Sequence, residues 1–183
     1  MLEIALYVAL GLAAVVAAVL ILALRRPDIM KIVRSTEIAG SPEAIFPLID
    51  DLRQFSTWSP FEKDPAMKRT YSGPDHGQGQ RMDWNGNSEV GEGSVTILSS
   101  SAPSRVDMQL IMLRPMRGDN HVTFTLVPNG RLTKVTWAIE GGVPLIAKVM
   151  QLFIDMDRMC GAEFEKGLAN LKAKIERSPA AAA

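Results

Sequence analysis

The hydrophobic pattern of this chain changes character at residue 25. From Ile4 to Leu24 it runs without a charge, bounded by Glu3 on one side and by Arg25 and Arg26 on the other. About 21 residues at roughly 1.5 Å each make a helix of about 31 Å, the hydrocarbon thickness of a bilayer. A cleaved signal peptide would carry a basic start, a shorter apolar core and a small-x-small cleavage site. Met1-Leu2-Glu3 has no Lys or Arg, and the run ends in Leu22-Ala23-Leu24 directly against two arginines. The expectation is an uncleaved single-pass anchor in the cell membrane. Arg25, Arg26, Lys31 and Arg34 follow the span and none precedes it, which orients the rest of the chain toward the cytoplasm.

After the anchor the period falls to two, with turn residues between the runs. Strands are predicted at Lys31–Ala39, Met67–Ser72, Gly79–Asn85, Gly91–Ser99, Arg105–Leu113, His121–Val127 and Arg131–Glu140. The intervening Gly73-Pro74-Asp75, Asn85-Gly86-Asn87, Ala102-Pro103-Ser104, Arg117-Gly118-Asp119-Asn120 and Pro128-Asn129-Gly130 have turn chemistry, and Asn129-Gly130 is the strongest hairpin signal. Gly40-Ser41-Pro42-Glu43 opens a helix with a cap, a proline at its first position and an early acid. That helix reaches about Asp50 with Pro47 straining or ending its ladder, and a second short helix or turn covers Leu52–Phe55. From Leu145 to Ile175 the residues Val149, Phe153, Met156, Cys160, Phe164, Leu168, Leu171 and Ile175 recur at steps of three and four. They predict one long amphipathic helix with a break near Cys160-Gly161.

The strands have one apolar face. Val106, Met108, Leu110 and Met112 lie on one parity of their strand, as do Val122, Phe124 and Leu126, Val135, Trp137 and Ile139, and Met82 with Trp84. Such a face must be covered, and the long C-terminal helix is the only element large enough to cover it. The expected division is residues 1–26 as anchor, 27–177 as one α+β domain and 178–183 as a fraying tail.

Composition narrows the chemistry. Lys plus Arg and Asp plus Glu are both 20, so no strong field attracts nucleic acid, and no nucleic-acid partner is expected. Cys160 is the single cysteine, which excludes an intramolecular disulfide and a cysteine-rich zinc site. His76 beside Asp75 reads as a solvated turn, and His121 as a polar residue at a strand edge. Neither forms a metal or triad signature. Asp83, Glu92, Asp107 and Glu140 fall on the outward parity, with solvent as their expected surroundings, and Arg81 and Arg114 share it. Gly77-Gln78-Gly79 lacks the helix a phosphate loop requires. No catalytic residue, metal ligand or cofactor site is expected.

Three short stretches carry a resemblance. Ile38-Ala39-Gly40-Ser41-Pro42-Glu43-Ala44-Ile45-Phe46 is a strand leading through a small residue and Ser-Pro into a helix. Trp58-Ser59-Pro60-Phe61 follows the second helix, and Asp83-Trp84-Asn85-Gly86 precedes Gly91-Glu92-Gly93. With the order strand, two short helices, six strands and long helix, the chain from Lys31 to Ile175 resembles the START-like superfamily. Within it the chain looks like the bacterial polyketide cyclase/dehydrase and lipid-transport group, the SRPBCC proteins. That resemblance implies a helix-grip fold, a curved seven-stranded antiparallel sheet around the C-terminal helix, with an apolar cavity between them.

The walls of such a cavity are expected from Met82, Trp84, Met108, Leu110, Met112, Phe124, Trp137, Met150 and Phe153, with Trp58 at an entrance. Methionine supplies adaptable, polarizable surface there and tryptophan a wall for a planar or lipidic ligand. The expected partner is an apolar small molecule or lipid, bound without catalysis beside the membrane that residues 4–24 span. The alternatives are a cyclase or dehydratase using His121 with Asp107 or Glu140, and a tethered interaction domain whose cavity is filled by its own side chains.

Overall fold

The computed structural model describes residues 1–177, and the tail expected to fray at 178–183 lies outside them. Helix α1 spans Leu2–Leu24, and its stretch Glu3–Leu24 has a mean hydropathy of 2.8. It is long and apolar enough to cross a bilayer.

Seven strands follow: β1 (Ile29–Ala39), β2 (Lys68–Ser72), β3 (Arg81–Asn85), β4 (Glu92–Ser101), β5 (Arg105–Arg114), β6 (Gly118–Asn129) and β7 (Leu132–Gly142). They form one open sheet in the order β1-β7-β6-β5-β4-β3-β2, with every neighbouring pair antiparallel. Between β1 and β2 stand three single turns of helix, α2 (Pro42–Ile45), α3 (Pro47–Asp50) and α4 (Leu52–Phe55). Pro47 starts a new turn rather than continuing α2, as its missing N–H requires. Gly118, Asp119 and Asn120 were expected in a turn; instead they begin β6, opposite Met112, Ile111 and Leu110.

The C-terminal segment corrects the sequence reading. It is two helices, α5 (Leu145–Met150) and α6 (Met156–Glu176), and the break lies at residues 151–155. Asp155 caps α6 by accepting the Arg158 backbone N–H at 3.0 Å. Cys160 and Gly161 sit inside α6. Gly161 is there because the guanidinium of Arg34 crosses the helix: a Cβ at Gly161 would stand 2.0 Å from Arg34 Nη2. Arg34 thereby reaches Asp157 and Glu165, each at 2.8 Å, and clamps α6 to β1.

One face of the sheet holds the core. Ile32, Ile38, Val106, Met108, Val122, Phe124, Leu126, Val135 and Trp137 meet Phe164, Leu168, Leu171 and Ile175 of α6. Burying this many aliphatic and aromatic side chains, at about 1.5–3 kcal/mol each, is what holds helix and sheet together. The Trp-Ser-Pro-Phe segment belongs to this core. Trp58 Nε1 donates to Leu48 O at 2.8 Å, and Pro60 packs against Gly167, where a Cβ would come within 2.9 Å of Pro60 Cδ.

Candidate functional site

The concave face of the sheet is covered unevenly. Toward the C-terminal end of β1 it is packed solid by aromatic rings. Trp137 stacks on Phe164 with centroids 4.2 Å apart, lies 4.9 Å from Phe124 and 5.8 Å from Trp58, and Phe55 closes on Trp58 at 4.5 Å. Trp58, expected at an entrance, is 2% exposed inside this cluster. Toward the other end the same face is only half covered. Met30, Trp84, Leu110, Met112, Asn120 and Ile139 are half-buried, and the strand register brings them to one end of the sheet.

Met82 and Met108 are buried between the two regions. Trp84 lies across Gly93, where a Cβ would meet its ring at 2.7 Å, and its Nε1 donates to Val90 O at 3.1 Å. That contact explains the second glycine of Gly91-Glu92-Gly93. The first, Gly91, has a φ of +66° that side chains disfavour.

This half-covered end is where β1 begins and β7 finishes, so it adjoins both α1 and α5. A groove of about 590 Å³ opens there between Arg26–Met30, Val143 and Gln151–Asp157. Met30 belongs to both the groove and the concave face. Phe153, expected as a wall, lines this outer groove and is 77% exposed; Met150 is on the outside of α5. Of the ten expected wall residues, eight share the concave face or its packed cluster, and these two stand at its outer rim. A second groove, of about 870 Å³, lies at the opposite end of the sheet between Ala39–Ala44 and Pro128–Thr133.

Polar groups on the concave side are few and mostly committed. Arg34 is held by Asp157 and Glu165, Arg69 pairs with Glu62, and Lys63 pairs with Glu163 at 2.9 Å. Desolvation raises the Glu62 carboxyl above its ordinary value, against the pull of Arg69. Burial likewise raises the Cys160 thiol, helped by the charges of Asp157 and Glu163. Trp137 Nε1 is buried with no hydrogen-bond partner among the described residues. No cluster of three His, Cys, Asp or Glu side chains placed to hold a metal occurs among them.

The carboxylate and histidine considered for catalysis do meet, but on the other face. His121 Nε2 stands 2.9 Å from Asp107 Oδ1, and Asp107 also accepts from Arg105, Thr123 and Ser99. Asp107 was expected in solvent; it is 8% exposed within this network. The Arg105 guanidinium, then the hydrogen bonds of His121, Thr123 and Ser99, hold its carboxyl far below the usual carboxylate range. Glu140 pairs with Lys31 at 3.4 Å, and both are exposed. These groups have the opposite parity to Met108, Val122 and Ile139, so the sheet itself separates them from the concave side.

Strand parity identified the apolar face, including Ile139, but not which end α6 leaves open. Met30 and Asn120 escaped notice because each stands where a strand was expected to have not yet begun.

Residues 30–176 match the family model described as polyketide cyclase / dehydrase and lipid transport, and the chain belongs to that family. No curated protein matches it in sequence. Among solved structures it is similar to a Chromobacterium violaceum protein, at 16% identity and a TM-score of 0.58, over 84% of this chain and 100% of that one. A Rhizobium leguminosarum protein aligns at 11% identity and a TM-score of 0.61, over 82% of this chain and 96% of the other. The major latex-like protein 151 of Panax ginseng aligns at 11% identity and 0.58, over 81% and 98%. At these identities the likeness is one of fold, the helix-grip architecture.

Proposed function

We propose that this member of the polyketide cyclase / dehydrase and lipid transport family is a membrane-tethered binding protein that receives an apolar small molecule or lipid between sheet and α6. The observation that carries this reading is the position of the half-covered concave end. Met30, Trp84, Leu110, Met112 and Ile139 are half-buried apolar side chains at the end of the sheet where β1 begins after α1, and Met30 also lines the groove there. Apolar molecules partition into bilayers, so a site held beside the bilayer meets them where they are concentrated. In this reading α1 stays attached as a single span, with Arg25 and Arg26 holding the domain on the cytoplasmic side.

Trp84, Leu110 and Met112 form the walls, Met82 and Met108 the adaptable floor, and Trp58, Phe124 and Trp137 the packed base. Trp137 offers its unpartnered Nε1–H to a ligand oxygen that reaches the base. Met150 and Phe153 stand at the mouth. In this reading the site binds and releases without bond making, with the charged groups Arg34, Arg69 and Lys63 on the concave side paired to carboxylates. The packed aromatic base favours one second reading, a tethered interaction domain with a filled cavity.

Native mass spectrometry of the full chain, released from mild detergent, separates the two. A co-bound lipid or apolar metabolite supports the binding protein, and a bare polypeptide mass from a preparation that retains bound lipid in a control protein favours the interaction domain.

A further inference from the structure

Helix α5 is inside out for a helix in water. Its one charged residue, Lys148, is 6% exposed, with its ammonium paired to the solvent-exposed carboxylate of Asp28, while Leu145, Ile146 and Met150 face outward. A surface helix in water does the reverse, hiding its apolar stripe and wetting its charges. The pattern continues through the break, where Phe153 and Ile154 are exposed, and into α6 at Met159. Ile29 at the start of β1 and Leu113 and Met116 at the β5–β6 turn are exposed at the same end of the sheet. Among the described residues beyond α1, the exposed large apolar residues elsewhere are only Val33, Phe61, Leu98 and Val127. Apolar surface gathered at one end of a domain marks a contact rather than chance.

The occupant follows from continuity. Helix α1 meets α5, and Ala23, next to the end of α1, is fully buried. The apolar rim therefore begins where the apolar span stops. Arg25, Arg26 and Arg117 stand exposed around it, Asp28 after the span is paired with Lys148, and of the exposed acids Asp155 and Asp157 on the rim the first caps α6 and the second pairs with Arg34. Exposed apolar side chains continuous with an apolar span, with Arg25 and Arg26 at its end, suit the interface of a bilayer bearing anionic lipid.

From this we infer that the rim formed by Leu145, Ile146, Met150, Phe153 and Ile154 is inserted in the membrane interface, a second contact beyond α1 that seats the groove at Met30 on the lipid. The inference rests on the reading of α1 as a retained span. It makes the mouth of the site open to lipid rather than to water, so a ligand passes between bilayer and concave face without crossing the aqueous phase.

The test is site-directed spin labelling of the full chain in nanodiscs of phosphatidylcholine and phosphatidylglycerol. Single cysteines replace Leu12, Ile146, Phe153 or Val127 in a Cys160→Ala background, and relaxation by oxygen is compared with relaxation by a water-soluble nickel chelate. The expected result is an oxygen-to-nickel ratio highest at Leu12, intermediate at Ile146 and Phe153, and lowest at Val127. A high ratio at Leu12 with Ile146 and Phe153 equal to Val127 overturns the rim while leaving the tether. A low ratio at all four overturns the tether and the rim with it. Since Ile146 and Phe153 are exposed, these substitutions leave the core intact.

Discussion

Trp137 lies flat against Phe164, their rings 3° from parallel and their centroids 4.2 Å apart. This stack joins β7, the strand next to the sheet edge β1, to the middle of α6 and closes one half of the grip. The other half, beyond Met108, has no comparable ring from α6, and the proposed site rests on that difference between the two halves.

Replacing Phe164 with Ala removes the stack and opens the base. A large-to-small change at such a buried aromatic costs about 3–5 kcal/mol. Chemical unfolding in detergent, followed by tryptophan emission, measures it; a loss below about 1 kcal/mol would mean the stack is not what holds α6.

Gly167 is a second test of the same contact. A Cβ there would stand 2.8 Å from Trp137 Cζ3 and 2.9 Å from Pro60 Cδ. Gly167→Ala gains about 1 kcal/mol of helix propensity, yet overpacking of this kind costs about 1–3 kcal/mol. The expected outcome is a variant no more stable than the parent in the same unfolding measurement, and a clear stabilisation would contradict this packing.

Much of this was legible in the chain. The period-two runs marked all seven strands, and the parity of Val106, Met108, Leu110 and Met112 marked the concave face, because a half-buried sheet has to alternate. The break in the C-terminal helix was misplaced, since Cys160-Gly161 looks like a breaker only until Arg34, from a strand more than a hundred residues earlier, is seen to need the space. Asp107 was misplaced for the same reason. Its parity is outward, but Arg105, His121, Thr123 and Ser99 enclose it, and such cross-strand neighbours depend on register. The half-covered end was not readable at all, because it is set by where α6 begins in space.

The Asp107 network predicts a pH signature. Its carboxyl is held below the ordinary range in the folded state, so its stabilisation is present above the unfolded value near pH 4 and is lost as pH falls below it. Asp107→Asn is expected to cost about 1–3 kcal/mol at neutral pH. The gap between variant and parent should shrink in unfolding curves at pH 3, and a gap independent of pH would show that the charge of Asp107 contributes nothing.

Cys160 is predicted to be a slow thiol. Burial and the nearby carboxylates raise its pKa, which depletes the reactive thiolate at neutral pH. Alkylation by iodoacetamide should proceed more slowly in the folded chain than in the unfolded one, and faster reaction in the folded state would point to an activated cysteine.

The most direct test of the account is photo-crosslinking of the full chain in vesicles containing a lipid with a diazirine near the end of its acyl chain. Labels are mapped by mass spectrometry of the digested protein. The account predicts adducts on the concave residues Met30, Leu110, Met112 and Ile139, reduced by Leu110→Trp, in addition to those on α1. Adducts confined to α1, with none on the concave face, would contradict the binding of apolar molecules between sheet and helix.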